Sequence, residues 1–223
     1  MEGVAALARE NPSLGLRVAD LAVPAGGAGG FFGHGKVGQN GQPAGKTDDF
    51  AGKVDRDLAG RVDVALHKYC YIDINDRTDA AALFAHYRDT MAKLRGQHPD
   101  VTFVHVTAPL THVQKGPKVL VKRLIGRPPG GYLDNLRREQ FNELMRREYA
   151  GREPLFDLAA IEATRPDGGE ERFSWKGQAG RALYPAYGSD GRHLNEQGRR
   201  RVAEELIVML ATLPTAAAGT PAR

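Results

Sequence analysis

Hydrophobic and polar positions along this chain follow two periods, and the changes from one to the other mark its elements. Val4, Leu7 and Ala8 fall on one side of a helix that Asn11-Pro12 closes. No capping residue stands ahead of it, so the chain reads as starting within structure. Leu14 to Val23 reads as a strand, ended by Pro24 and a glycine-rich loop through Gly41. Lys46 to Ala59 can form a helix, and Val62 to Ile74 is rich in β-branched and aromatic residues, as a central strand should be. Ala80, Leu83, Phe84, Tyr87, Met91 and Leu94 then recur at three and four residues, which predicts a helix with one apolar stripe.

Val101 to Thr107 predicts the next strand, stopped by Ala108-Pro109, and the basic segment His112 to Gly131 reads as a surface insertion. Leu133, Leu136, Phe141, Leu144, Met145 and Tyr149 mark a second long helix, Leu155 to Leu158 a short strand, and Glu162 to Tyr187 a polar loop. A last helix is expected from Asn195 to Leu213, with Val202, Leu206, Met209 and Leu213 on one face. Strands separated by helices of this length predict a three-layer α/β/α fold, because a parallel connection needs a crossover. In such sheets a site lies beyond the carboxyl ends of the strands, which selects loops 24–45, 73–79, 108–131 and 159–193.

Composition narrows the class. With 223 residues and 41% hydrophobic content, one core and one domain are expected over residues 1–213, with a disordered small-residue tail at 214–223. No apolar run approaches the length that crosses a bilayer, so no membrane partner is expected. Met1-Glu2-Gly3 does not open a secretion signal, although one could lie upstream, which leaves localisation open. Cys70 is the lone cysteine and can make no internal disulfide. The formal charge of +4 is mild, and its excess sits at Lys115, Lys118, Lys122, Arg123, Arg127 and the Arg199-Arg200-Arg201 run. That distribution reads first as a solvated face and second as a patch for an anionic substrate or surface. A nucleic-acid partner is not expected, because no aromatics interleave with the basic insertion.

Two nucleotide-binding patterns occur in the glycine-rich loop, and each lacks a requirement. Gly30 to Val37 matches G-x-x-x-x-G-K but offers Val37 where a hydroxyl must hold magnesium. Gly33 to Gly38 matches G-x-G-x-x-G, yet Gln39-Asn40-Gly41-Gln42-Pro43 cannot open the helix whose N-terminus would face a pyrophosphate. Gly188-Ser189-Asp190-Gly191-Arg192-His193-Leu194-Asn195, just ahead of the last helix, carries a sharper signal. A base for nucleophilic catalysis is an imidazole whose far nitrogen is held by a carboxylate, and Asp190 can reach His193 from three residues away. The plainer reading is that Asp190 caps a turn and His193 begins a helix.

In that context the chain resembles the SGNH (GDSL-like) hydrolases, whose final block is an Asp-x-x-His pair before the C-terminal helix of a flavodoxin-like sheet. The resemblance extends over Phe32-Gly33-His34, Val37 to Gly41, Lys68 to Asp73, Phe103 to Thr111 and Leu155 to Glu162, and it looks like a bacterial branch of such proteins. It implies an esterase or acyl hydrolase with Asp190 and His193 catalytic, and with no metal or organic cofactor. Gly38 or Gly41, with Asn40 nearby, would supply an oxyanion hole, and Asn75 is a further candidate for its Asn, unless it is a plain turn residue. The family's nucleophile is a Ser ending the first strand. Ser13, Ser174 and Ser189 are poor substitutes, since none follows a predicted strand into a helix.

The first expectation is therefore an SGNH-type hydrolase of small ester substrates whose first strand and Ser lie upstream of Met1, leaving the chain as written inactive. The alternative is a binding or interaction protein that kept the scaffold and lost the nucleophile. Anion or nucleic-acid binding through Lys115 to Arg127 ranks last. Substrate identity and oligomeric state are not legible in the sequence.

Overall fold

The computed structural model describes residues 1–20 and 30–213. The expected tail from 214, the end of the first expected strand (21–23) and the start of the loop behind it (24–29) lie outside the described residues. The elements, in chain order, are α1 (Glu2–Glu10), β1 (Arg17–Asp20), β2 (Phe31–His34), α2 (Pro43–Lys53), β3 (Val64–His67), α3 (Ala80–Gln97) and β4 (Thr102–Val106). They continue with α4 (Pro117–Leu124), α5 (Tyr132–Tyr149), β5 (Leu155–Phe156), α6 (Leu158–Ala163), β6 (Arg172–Trp175), β7 (Gln178–Arg181) and α7 (Glu196–Thr212).

Strands β3, β4 and β5 form a parallel sheet in that order, with Leu66 opposite Val104 and His105 opposite Leu155. Successive side chains of a strand point to opposite faces, and both faces here are covered. Ala65 and Phe103 point toward α2, α3 and α5, where they meet Phe50, Leu83, Phe84, Tyr87, Phe141 and Met145. Val104 and Val106 point the other way, onto Val4 and Leu7 of α1 and Ala203 and Leu206 of α7. The result is the three-layer α/β arrangement expected from the sequence. Helix α1 lies close on α7 at Gly3, where a Cβ would come within 2.4 Å of the Arg199 carbonyl oxygen, so a side chain there would separate the helices.

A second parallel pair, β1 with β2, sets Val18 opposite Phe32. Among the described residues, no ladder joins this pair to β3. Leu16, Val18, Phe32, Val64 and Leu66, from both sides of that break, are only partly buried against the α1–α7 layer.

Several boundaries differ from the sequence expectations. β2 lies inside the stretch read as loop; its two apolar residues between glycines gave no period, and its pairing with β1 is non-local. The first strand begins only at Arg17, because Pro12–Leu14 forms a 3-10 turn. Helix α2 starts three residues earlier than expected, at Pro43, where a missing N–H costs nothing. β3 ends at His67, and residues 68–74 leave the sheet in a loop tied to buried groups described below. The basic insertion contains α4, α6 starts at the last residue of the expected short strand and runs two residues into the stretch read as polar loop, and that loop contains the antiparallel β6–β7 hairpin. The two long periodic helices appear as α3 and α5, with Asp79 capping α3 by accepting the Ala81 and Ala82 N–H groups at 3.0 Å.

Candidate functional site

The start of α7 is fixed by Asn195, whose side-chain oxygen accepts the Gly198 N–H at 3.0 Å while its amide donates to the Ala186 carbonyl at 2.7 Å. Ahead of it, Ser189 N–H donates to His193 O at 2.9 Å and closes a tight loop, which Gly191 turns with φ +82°. This loop carries Asp190 and His193 side by side. Asp190 Oδ1 accepts the N–H groups of Arg192 and His193 at 2.9 and 2.8 Å, and Oδ2 meets His193 Nδ1 at 2.7 Å. The His193 N–H, then the ring and the Arg192 N–H, hold the Asp190 carboxyl far below the usual carboxylate range. An ionised carboxylate at Nδ1 keeps the proton there, so neutral His193 offers Nε2 as the lone pair. The ring is open to solvent, 62% exposed, and packs edge-on to Tyr71 at 5.2 Å. Beneath the loop, His112 N–H donates to Gly191 O at 2.8 Å, and His112 Nε2 is buried without a hydrogen-bond partner.

Tyr71 belongs to the loop after β3, and two buried groups hold that loop. Asp73, fully enclosed, accepts Gly41 N–H at 2.9 Å, Cys70 N–H at 2.6 Å and Lys46 Nζ at 2.8 Å. Lys46 also donates to Asn40 Oδ1 at 2.7 Å. An ammonium can only donate, so the Asn40 oxygen must face it and the Asn40 NH2 is turned away. From α5, buried Arg138 donates to the carbonyls of Tyr71 and Ile74, to Thr111 Oγ1 and to Asn135 Oδ1. Burial lowers its guanidinium below the ordinary value. Glu162 of α6 lies under the loop after β4, accepting Leu110 N–H at 2.6 Å, and burial raises its carboxyl to about 7.

The candidates read from sequence fall unevenly on this frame. Asp190 and His193 meet. Gly38 and Gly41 have left-handed backbones, but their N–H groups donate to carboxylates, Gly38 to Asp49 at 2.7 Å and Gly41 to Asp73, so neither is offered to a ligand. Asn75 accepts Arg77 N–H at 3.0 Å in a local turn, the plainer of its two readings. The Asn40 NH2 has no hydrogen-bond partner among the described residues. Ser189 Oγ donates to the His193 carbonyl at 3.2 Å, away from the ring, while Ser174 lies in β6 and Ser13 beside α1. Among the described residues no side chain hydrogen-bonds His193 Nε2. The glycine pattern 33–38 leads out of β2 into a turn and not into a helix, since α2 opens only at Pro43. Sequence reasoning placed Tyr71 and Asp73 in a block of the resemblance without giving them a role, and missed Lys46 and Arg138 as parts of this frame. Their spacing carries no motif, and charged residues ordinarily read as exposed.

No family model matches the chain, and no curated protein does. Solved structures do match it. A member of the lipolytic protein G-D-S-L family from Veillonella parvula DSM 2008 aligns over 89% of this chain and 98% of its own length, with a TM-score of 0.51 and 13% identity. A protein from Streptococcus pneumonia, whose description refers to platelet activating factor, aligns over 94% and 92% with a TM-score of 0.50 and 14% identity. At such identity the likeness is one of fold: this chain has the α/β/α fold of the G-D-S-L lipolytic proteins.

Proposed function

We propose that this chain carries the acid–base half of an SGNH-type acyl hydrolase acting on small esters. The observation that carries the reading is the 2.7 Å Asp190–His193 contact at the start of the last helix of this fold, with Nε2 open to solvent. In this reading the nucleophile is a Ser that the described residues do not supply, carried by a strand encoded ahead of Met1; it is supported by the lack of a ladder between the β1–β2 pair and β3 among the described residues. His193 Nε2 takes the Ser proton as the oxygen attacks the ester carbon, and Asp190 stabilises the imidazolium. The Asn40 NH2, oriented by Lys46, donates to the tetrahedral oxyanion, a role worth about 3–4 kcal/mol per donor in related chemistry. Collapse expels the alcohol, which leaves with the proton from His193, and water repeats the cycle on the acyl-enzyme.

A second reading, a binding protein on the same scaffold, is favoured by two observations: no hydroxyl of the described residues hydrogen-bonds the His193 ring, and two candidate N–H donors are already occupied by carboxylates. Hydrolysis of a short-chain aryl ester separates the two. The chain as written is expected to be inactive, and a polypeptide extended through the in-frame upstream codons is expected to hydrolyse the ester and to lose activity on His193→Ala. Activity of the unextended chain that depends on His193 would overturn the assignment of the nucleophile. An inactive extended chain with an intact fold would favour the binding protein.

A further inference from the structure

Helix α4 is built inside out. Leu120, Val121, Leu124 and Ile125 recur on one side of the helical period, and they are 66%, 59%, 87% and 60% exposed. The polar side faces the protein instead: Lys122 Nζ donates to Gln114 Oε1 at 2.7 Å, and Arg123 donates to the Ser174 carbonyl at 2.6 Å with its guanidinium 6.0 Å from the Tyr132 ring centre. Gln114 Oε1 also accepts Gly130 N–H at 3.1 Å and so closes the base of the insertion. A helix that packs on a core turns its apolar stripe inward. This one is fastened by its cations and presents the stripe to solvent.

The charge around the stripe identifies what would cover it. No Asp or Glu occurs from Val101 to Leu133, whereas Lys115, Lys118, Lys122, Arg123 and Arg127 all do. Lys115 pairs with Glu171, while Lys118 and Arg127 are exposed and carry no ion pair among the described residues. A second copy docked stripe to stripe would bring like charges together. A polynucleotide would neutralise the cations but leave Leu124 in water. An apolar stripe rimmed by lysine and arginine fits an anionic bilayer, in which the acyl boundary takes the stripe and the headgroups take the cations.

We infer that α4 is an interfacial helix that seats this protein on an anionic lipid surface. The expectation of no membrane partner rested on the lack of a bilayer-length apolar run, a criterion blind to a helix lying in the headgroup plane. The inference is independent of the catalytic reading. Because His112, at the root of the insertion, is bonded to Gly191, seating would bring the Asp190–His193 loop close to the same surface.

The test is co-sedimentation of the full chain with vesicles of phosphatidylcholine, with and without about one-third phosphatidylglycerol. Binding is expected only to the anionic vesicles and is expected to weaken at high salt. The double variant Leu124→Asp, Ile125→Asp, at exposed positions that leave the fold intact by circular dichroism, is expected to lower the partition at least ~10-fold. Lys118→Glu with Arg127→Glu is expected to lower it without removing apolar area. Absence of binding, equal binding to neutral vesicles, or an unaffected double aspartate variant would each overturn the inference. So would self-association abolished by Leu124→Asp, which would make a second copy the occupant, or oligonucleotide retention indifferent to Leu124→Asp.

Discussion

Replacing Asp73 by Ala tests the frame beneath the site most directly. The carboxylate is fully buried and takes three donors, and Lys46 opposite it has a side chain only 6% exposed. Its loss leaves a buried ammonium with Asn40 Oδ1 as its remaining partner, and strands the N–H groups of Gly41 and Cys70. Removing one partner of a buried pair costs about 3–5 kcal/mol, and the N–H groups of Gly41 and Cys70, at part-buried positions that water can reach, add little to it. A loss of about 4 kcal/mol is expected, out of a total of about 5–15. Lys46→Met is the informative partner. It leaves a carboxylate that still accepts two backbone N–H groups, so it is expected to cost only about 2 kcal/mol. Urea unfolding followed by far-UV circular dichroism reads both, with the Asp73→Ala midpoint expected to fall by roughly 1.5 M at unchanged slope. An Asp73→Ala loss within about 1 kcal/mol of zero, or a Lys46→Met loss as large as that of Asp73→Ala, would refute the reasoning.

Three further outcomes are expected. Glu162 ionises near 4.5 when unfolded but near 7 when buried, so the stability it contributes is present below about 4.5 and is lost as pH rises through about 7. Thermal unfolding against pH should show a loss of roughly 3 kcal/mol across that window, absent in Glu162→Gln. His67 has the opposite sign: burial lowers it from 6.5 to about 4, so its contribution is present above 6.5 and lost as pH falls through about 4. Its Nε2 is buried without a partner and its ring stacks on Phe50 at 5.3 Å, so His67→Phe should keep the stack and remove that part of the acid loss, read by circular dichroism in an acid titration. In a hydrolytically active extended chain, Asp190→Asn should lower kcat by about 10³–10⁴ with little change in KM, and an unchanged kcat would remove Asp190 from the mechanism.

What was legible in the sequence was what is local or periodic. The stripe from Ala80 to Leu94 and that from Leu133 to Tyr149 identify α3 and α5 because a helix repeats its burial every turn. Asp190 and His193 could be paired in advance because three residues separate them. Strand β2 could not be seen, since Phe31-Phe32 between glycines has no period and the strand exists through its pairing with β1. The spacing of the apolar residues of α4 is helical, but spacing says nothing of which way a stripe faces. The frame of the site was hidden for a different reason. Lys46 meets Asp73 across 27 residues and Arg138 meets Tyr71 across 67, and charged side chains read as exposed until their partners are known. The occupancy of two oxyanion candidates was hidden for the same reason: nothing local shows that Asp49 and Asp73 hold the N–H groups of Gly38 and Gly41.

Arg138 has a consequence for how this protein tolerates substitution. Its guanidinium is surrounded by neutral acceptors, and those it takes from the loop after β3 are main-chain oxygens of Tyr71 and Ile74. Every residue type supplies such an oxygen. The side chains at 71 and 72, outside the core and apart from Asp73, are therefore free to diversify without loosening this attachment, so the surroundings of His193 can be varied while its position is kept. In this attachment the constraint falls on Arg138 itself. Lysine would carry the charge but not the planar fork that reaches two loops and its own helix at once. A library randomised at positions 71 and 72 should therefore return many folded members, whereas one randomised at 138 should return almost none but arginine.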